Sequence, residues 1–73
     1  MKKNNCKNTV FIKNLKTIRL SKGLSQKDIA TALSIPVSTY SNWEQGRTEP
    51  SITDIFNLID FFEIEANDLF DID

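Results

Sequence analysis

The residues best suited to do chemistry lie between Val37 and Asn42, and the chemistry they fit is hydrogen bonding rather than catalysis. In the run Pro36 to Gln45, Tyr40 and Trp43 stand three apart and turn to one side of a helix. Val37, Ser38, Thr39, Ser41 and Asn42 are left on the other side. These are hydroxyls, one amide and one methyl-bearing side chain, not the Lys/Glu mixture of an ordinary solvated helix. Base edges in a DNA major groove call for such groups: Asn pairs bidentately with adenine, Ser and Thr with several edges, and apolar groups pack on the thymine methyl. The same composition also describes a merely polar surface helix, so the neighbouring elements must decide. Catalysis lacks a vehicle. The chain has no His, a single Cys (Cys6), no Gly-rich phosphate loop and no carboxylate pair in a credible pocket, so no enzyme, no metal site and no cofactor are expected.

The elements that must position these residues follow from the pattern around them. Ser25 is an N-cap, Asp28 completes a capping box, and Ile29, Ala30 and Leu33 then form one apolar face of a two-turn helix. Ser34-Ile35-Pro36 interrupts it. Proline has no N–H, biases the residue before it away from helix and suits a first helical position, so a second helix is expected from Pro36 to Gln45. Upstream, Phe11, Leu15 and Ile18 mark an amphipathic helix from Val10 to about Lys22, ended by Gly23, with Leu24 buried in the connection. Arg19 falls at the margin of that stripe, where a structural ion pair would fit. Downstream, the loop Gln45 to Pro50 leads to a second capping box, Ser51 with Asp54. A helix from Ile52 to Phe62 is expected to bury Ile52, Ile55, Ile59 and Phe62, with Leu58 flanking and Phe56 and Phe61 at the edge. Ala66 to Phe70 supplies a last turn. The expected fold is all-α: a compact bundle of five short helices with a central helix-turn-helix over residues 10–73, preceded by a flexible basic arm, residues 1–9.

Seventy-three residues make one small domain whose core must be efficient. No stretch is long and apolar enough for a membrane span, nothing near Met1 resembles a signal peptide, and a cytoplasmic chain with no membrane partner is expected. The formal net charge of −1 conceals a division. Residues 1–29 carry eight basic side chains against Asp28 alone, whereas residues 30–73 carry Arg47 against nine acids. With a Debye length of about 8 Å, acids on the far side of a small domain are largely screened from a ligand on the basic side. The local sign, not the sum, bears on a nucleic-acid partner.

The chain resembles the lambda-repressor-like (Cro/phage repressor, XRE) helix-turn-helix family. The resemblance is carried by L-x-x-I-R at Leu15 to Arg19, K-G-L-S-Q at Lys22 to Gln26, D-I-A at Asp28 to Ala30, S-x-W-E-x-G-R-x-x-P-S at Ser41 to Ser51, and N-D-L-F at Asn67 to Phe70. It implies that Ser25 to Leu33 lies across the DNA backbone and that Pro36 to Gln45 is the recognition helix. It further implies base reading by Val37, Ser38, Thr39 and Asn42, phosphate binding by Gln26, Ser41, Arg47 and Thr48, and a structural ion pair between Arg19 and Glu44. Three residues depart from the family pattern. Ser34 stands in the turn where Gly is frequent, Pro36 where a capping Ser or Thr is common, and Tyr40 where Ile or Val is usual, so its hydroxyl needs a partner.

Sequence-specific double-stranded DNA binding by a transcriptional regulator is the expected function. A helix of about ten residues spans about 15 Å, enough for one half-site, which favours a homodimeric repressor reading a palindromic operator. Ile64, Leu69, Phe70 and Ile72 are the candidate dimer surface, with Phe56 and Phe61 nearby, although the same residues could simply close the core. The alternative is an antitoxin or anti-regulator that acts mainly as a protein–protein interaction module, with a toxin or another regulator as partner.

Overall fold

The computed structural model describes residues 9–70, which form five helices and no strand. They are α1 (Thr9–Ser21), α2 (Gln26–Leu33), α3 (Val37–Gln45), α4 (Ile52–Phe62) and α5 (Ala66–Phe70). The arm expected over residues 1–9 lies outside the described residues except at Thr9, which is already the first residue of α1. Cys6 and Ile72, and the side chain of Phe70, also lie outside them.

Local chemistry sets where each helix starts and stops. Ser25 and Ser51 each accept from the backbone N–H three residues on, while Asp28 and Asp54 reach back to the cap N–H, so both capping boxes are closed. At α5 only half of that device is present: the Glu65 N–H donates to Asp68 Oδ2 at 3.0 Å. The first four helices end alike. Gly23, Ser34, Gly46 and Glu63 take left-handed backbone at φ of 71°, 60°, 76° and 58°. The N–H of the residue after each one then returns to the carbonyl five residues back. This is the Schellman closure, which satisfies carbonyls the last turn leaves open. Pro36 is not the first helical residue but the N-cap of α3: its ψ is 146°, and its carbonyl accepts from the N–H groups of Thr39 and Tyr40. A ring without a donor fits that place, but it offers no side-chain cap.

The core gathers Phe11 and Leu15 of α1, Ile29 and Ala30 of α2, Tyr40 and Trp43 of α3, Leu58 and Phe62 of α4, and Leu69 of α5. The helices pack as α2 on α3, α1 on α3 and α5, and α4 on α2. Leu24 is only half-buried, against this cluster. Helix α4 departs from the expected pattern. Leu58 is fully buried rather than flanking, whereas Ile52 is 68% and Phe56 64% exposed. Seven of its eleven residues are Ile, Leu or Phe, an arc too broad for periodicity to select the line that faces inward. The buried line runs through Ile55, Leu58 and Phe62, leaving Ile52 and Phe56, one turn apart, on an open margin.

Candidate nucleic-acid interface

Helices α2 and α3 meet through a turn of three residues that the sequence forces to be abrupt. Ser34 closes α2 in left-handed backbone, Ile35 turns half-inward, and Pro36 opens α3. With Tyr40 and Trp43 buried and in edge contact at 5.8 Å, the opposite side of α3 faces outward. Val37 is 42% exposed and Ser38 is exposed, while Thr39, Ser41 and Asn42 are half-buried. Gln45 also belongs to this face. It is exposed, and its Nε2 donates to Ser41 Oγ at 2.8 Å. Its spacing from Ser38 and Ser41, seven and four residues, was the signal available for including it. Beyond α3, Gly46 is buried at a φ of 76°, a combination suited to glycine, and it turns the chain so that Arg47 and Thr48 stand exposed.

A buried polar cluster holds this unit to the rest of the molecule. Arg19 of α1 and Glu44 of α3 come together in a bidentate pair, Nε to Oε2 at 2.7 Å and Nη2 to Oε1 at 3.2 Å. The third arm of the guanidinium, Nη1, donates to the Leu24 carbonyl at 2.8 Å, pinning the connection before α2. Two neutral donors complete the carboxylate: Tyr40 Oη donates to Oε2 at 2.6 Å and Gln26 Nε2 to Oε1 at 3.0 Å. Glu44 therefore accepts from all of α1, α2 and α3. The Tyr40 hydroxyl, which needed a partner, finds it one turn along its own helix.

The electrostatics follow from this geometry. Burial pushes the Glu44 carboxyl up, but the hydrogen bonds from Arg19, Tyr40 and Gln26, together with the Arg19 charge, outweigh it and hold the group below the usual carboxylate value. The hydrogen bond to Glu44 raises Arg19 further, against desolvation. Burial first, and the neighbouring Glu44 second, push the Tyr40 phenol up, so it stays a donor at all ordinary pH. At the start of α2 the two bonds with Ser25 keep the Asp28 carboxyl low.

The candidate residues thus divide by location. Gln26, Ser41, Arg47 and Thr48 sit around the start of α2, the flank of α3 and the loop after it, bracketing Val37, Ser38, Thr39 and Asn42 on the outer side of α3. The residues considered for a dimer surface are spread differently. Leu69 is fully buried in the core, and Ile64 is half-buried against it. The large apolar side chains that stand open on α4 are Ile52, Phe56 and, at 37% exposed, Phe61.

The sequence pattern of the helix-turn-helix family HTH_3 matches residues 15–69. The HTH-type transcriptional regulator DdrOP3 of Deinococcus deserti is similar, 40% identical over 55 residues that cover 75% of this chain and 43% of that protein. The chain thus spans less than half the length of that curated relative. Its fold is similar to the crystal structure of the restriction-modification controller protein C.AhdI from Aeromonas hydrophila. The TM-score is 0.81 at 29% identity, covering 90% of this chain and 100% of that one.

Proposed function

The chain belongs to the helix-turn-helix family HTH_3, a family of DNA-binding regulators rather than of enzymes, and from that premise we propose that it is a sequence-specific regulator of transcription acting as a homodimeric repressor. The observation that carries the reading is the outer side of α3. Small donors and acceptors are presented there by a helix whose inner side is fixed by Tyr40, Trp43 and Glu44.

In this reading α3 enters the major groove, with Val37, Ser38, Thr39 and Asn42 against base edges and Gln45 beside them. Gln26 and the free N–H groups at the start of α2 meet one phosphate, and Ser41, Arg47 and Thr48 meet others. Phosphate contacts set register and base contacts set preference, so the two groups have separable effects. A single α3 reaches only a few base pairs, which calls for two copies on a palindromic operator. The open margin of α4 at Ile52 and Phe56 supports placing the second copy there.

Selection from a random duplex library tests the proposal. Enrichment of a palindromic sequence, bound with steep salt dependence, is the expected outcome. Absence of any enrichment would count against DNA as the ligand and favour a protein partner instead.

A further inference from the structure

We propose that Tyr40 is a positioning residue for the phosphate contact of Gln26, acting at a distance through the carboxylate of Glu44. The inference rests on the DNA-binding reading and adds to it a residue that touches neither base nor phosphate.

The geometry is a relay of fixed atoms. Glu44 Oε2 is held by two donors, Tyr40 Oη at 2.6 Å and Arg19 Nε at 2.7 Å. Together with the bidentate reach of Arg19 to Oε1, these two bonds set the tilt of the carboxylate and hence the direction in which Oε1 is offered. Oε1 then receives the longer Arg19 Nη2 contact at 3.2 Å and Gln26 Nε2 at 3.0 Å. A primary amide has two chemically opposite ends, and a carboxylate beside it decides which end points where: the nitrogen turns toward Glu44 and the carbonyl oxygen is turned away. Gln26 Nε2 keeps a second proton, which takes no other acceptor among the described residues. That proton is the donor an anion needs. Gln26 is also the first residue of α2, at the end of the helix whose opening N–H groups have no intrahelical partner, and it is half-buried.

Tyr40 is what makes the relay stiff. The residue is fully buried, so its hydroxyl has no water to turn to and is committed to Glu44. Without the hydroxyl, the carboxylate is held by Arg19 alone, closely at Oε2 and at 3.2 Å at Oε1, and it can tilt about that uneven pair. The Gln26 amide then loses its fixed orientation while every backbone element stays in place.

The test is a double-mutant cycle on duplex affinity, using the operator selected as above, with Tyr40→Phe, Gln26→Ala and the combination. Tyr40→Phe keeps the ring in the core and removes one oxygen. It should weaken binding on the order of fivefold, the equivalent of one hydrogen bond. In the Gln26→Ala background the same change should have almost no effect, because its target is gone. Equal factors in both backgrounds overturn the proposal, since a general loosening of the fold would act regardless of Gln26. A second measurement needs no DNA: the side-chain amide protons of Gln26, followed by NMR in the free protein, should shift and exchange faster in Tyr40→Phe than in the parent. An unchanged amide also overturns the relay. A parent chain that binds no duplex at all sinks the DNA-binding reading itself, an outcome distinguishable from failure of the cycle.

Discussion

At the scale of single residues, Glu44 concentrates more of the structure than any other side chain, because one carboxylate satisfies four donors from three helices. Removing either member of such a buried pair strands the other, at a cost of about 3–5 kcal/mol. That is a large share of the roughly 5–15 kcal/mol that holds a typical domain together. Acid should act on the same group. The folded carboxyl binds its proton less readily than the unfolded one, whose ordinary value is 4.5. Its contribution is therefore complete above that value and lost as pH falls through the lower folded one. Asp28, also held low, adds the same sign at the start of α2. Urea midpoints measured from pH 7 to pH 3 should fall steeply below about 4.5, and more shallowly in Glu44→Gln, whose midpoint is lower throughout. A second residue-scale expectation concerns Ser34, in left-handed backbone at a φ of 60°. An L side chain there costs about 1–2 kcal/mol, partly offset by the smaller entropy that Ser loses on folding. Ser34→Gly should thus stabilise the chain by about 0.5–1 kcal/mol in thermal unfolding, and Glu63→Gly likewise. The need for a partner at Tyr40 was legible in the sequence, as was the strain at a non-glycine turn. The meeting of Gln26 with Glu44 was not, because residues 18 apart on separate helices come together only through the packing angle of α2 on α3.

At the scale of elements, short-range signals were the legible ones. Ser25 with Asp28 and Ser51 with Asp54 fixed two helix starts from four residues each, and Gly23 and Gly46 marked two ends. Pro36 shows the limit of such signals. The same ring suits N1 and N-cap, and only its ψ of 146° distinguishes them. Helix α4 shows another limit, since an apolar arc this broad carries little phase and Ile52 could not be separated from Ile55 by spacing. The outer side of α3 was legible because the bulk of Tyr40 and Trp43 fixes which way the helix is turned. Substitutions on the two proposed classes of contact should therefore behave differently. Asn42→Ala should cost about 1–3 kcal/mol and relax preference at one base pair. Arg47→Ala should weaken all duplexes alike and lower the slope of log affinity against log salt by about 1. Titrations at several salt concentrations, on the selected operator and on a scrambled duplex, separate the two. Equal loss of preference from both substitutions would remove the assignment of Asn42 to a base.

At the scale of the whole molecule, the distribution of charge and of apolar surface points to two working sides. Asp54, Asp60, Glu63, Glu65 and Asp68 are carried on or between α4 and α5, which pack chiefly on α2 and α1, while α3 presents hydroxyls and amides. With a Debye length of about 8 Å, what bears on a duplex at α3 is the local charge, where Arg47 and Glu49 both stand exposed, rather than the net charge of −1. The proposed dimer surface was the hardest feature to read, because a 73-residue chain has few large apolar residues to divide between core and contact. The burial of Leu69 assigns that side chain to the core, and the exposure of Ile52 and Phe56 moves the argument to α4. A phenylalanine 64% exposed contributes little to folding of one copy, so a charge at that position tests association separately from stability. Phe56→Glu should leave the unfolding free energy of dilute protein within about 0.5 kcal/mol of the parent. It should convert a dimer sedimenting at micromolar concentration into a monomer. Binding to a full palindrome should fall while binding to an isolated half-site is unchanged, because the α3 contacts are intact and only their pairing is lost. A parent chain that sediments as a clean monomer, or a variant that weakens half-site and palindrome equally, would remove the α4 margin as the place where two copies meet.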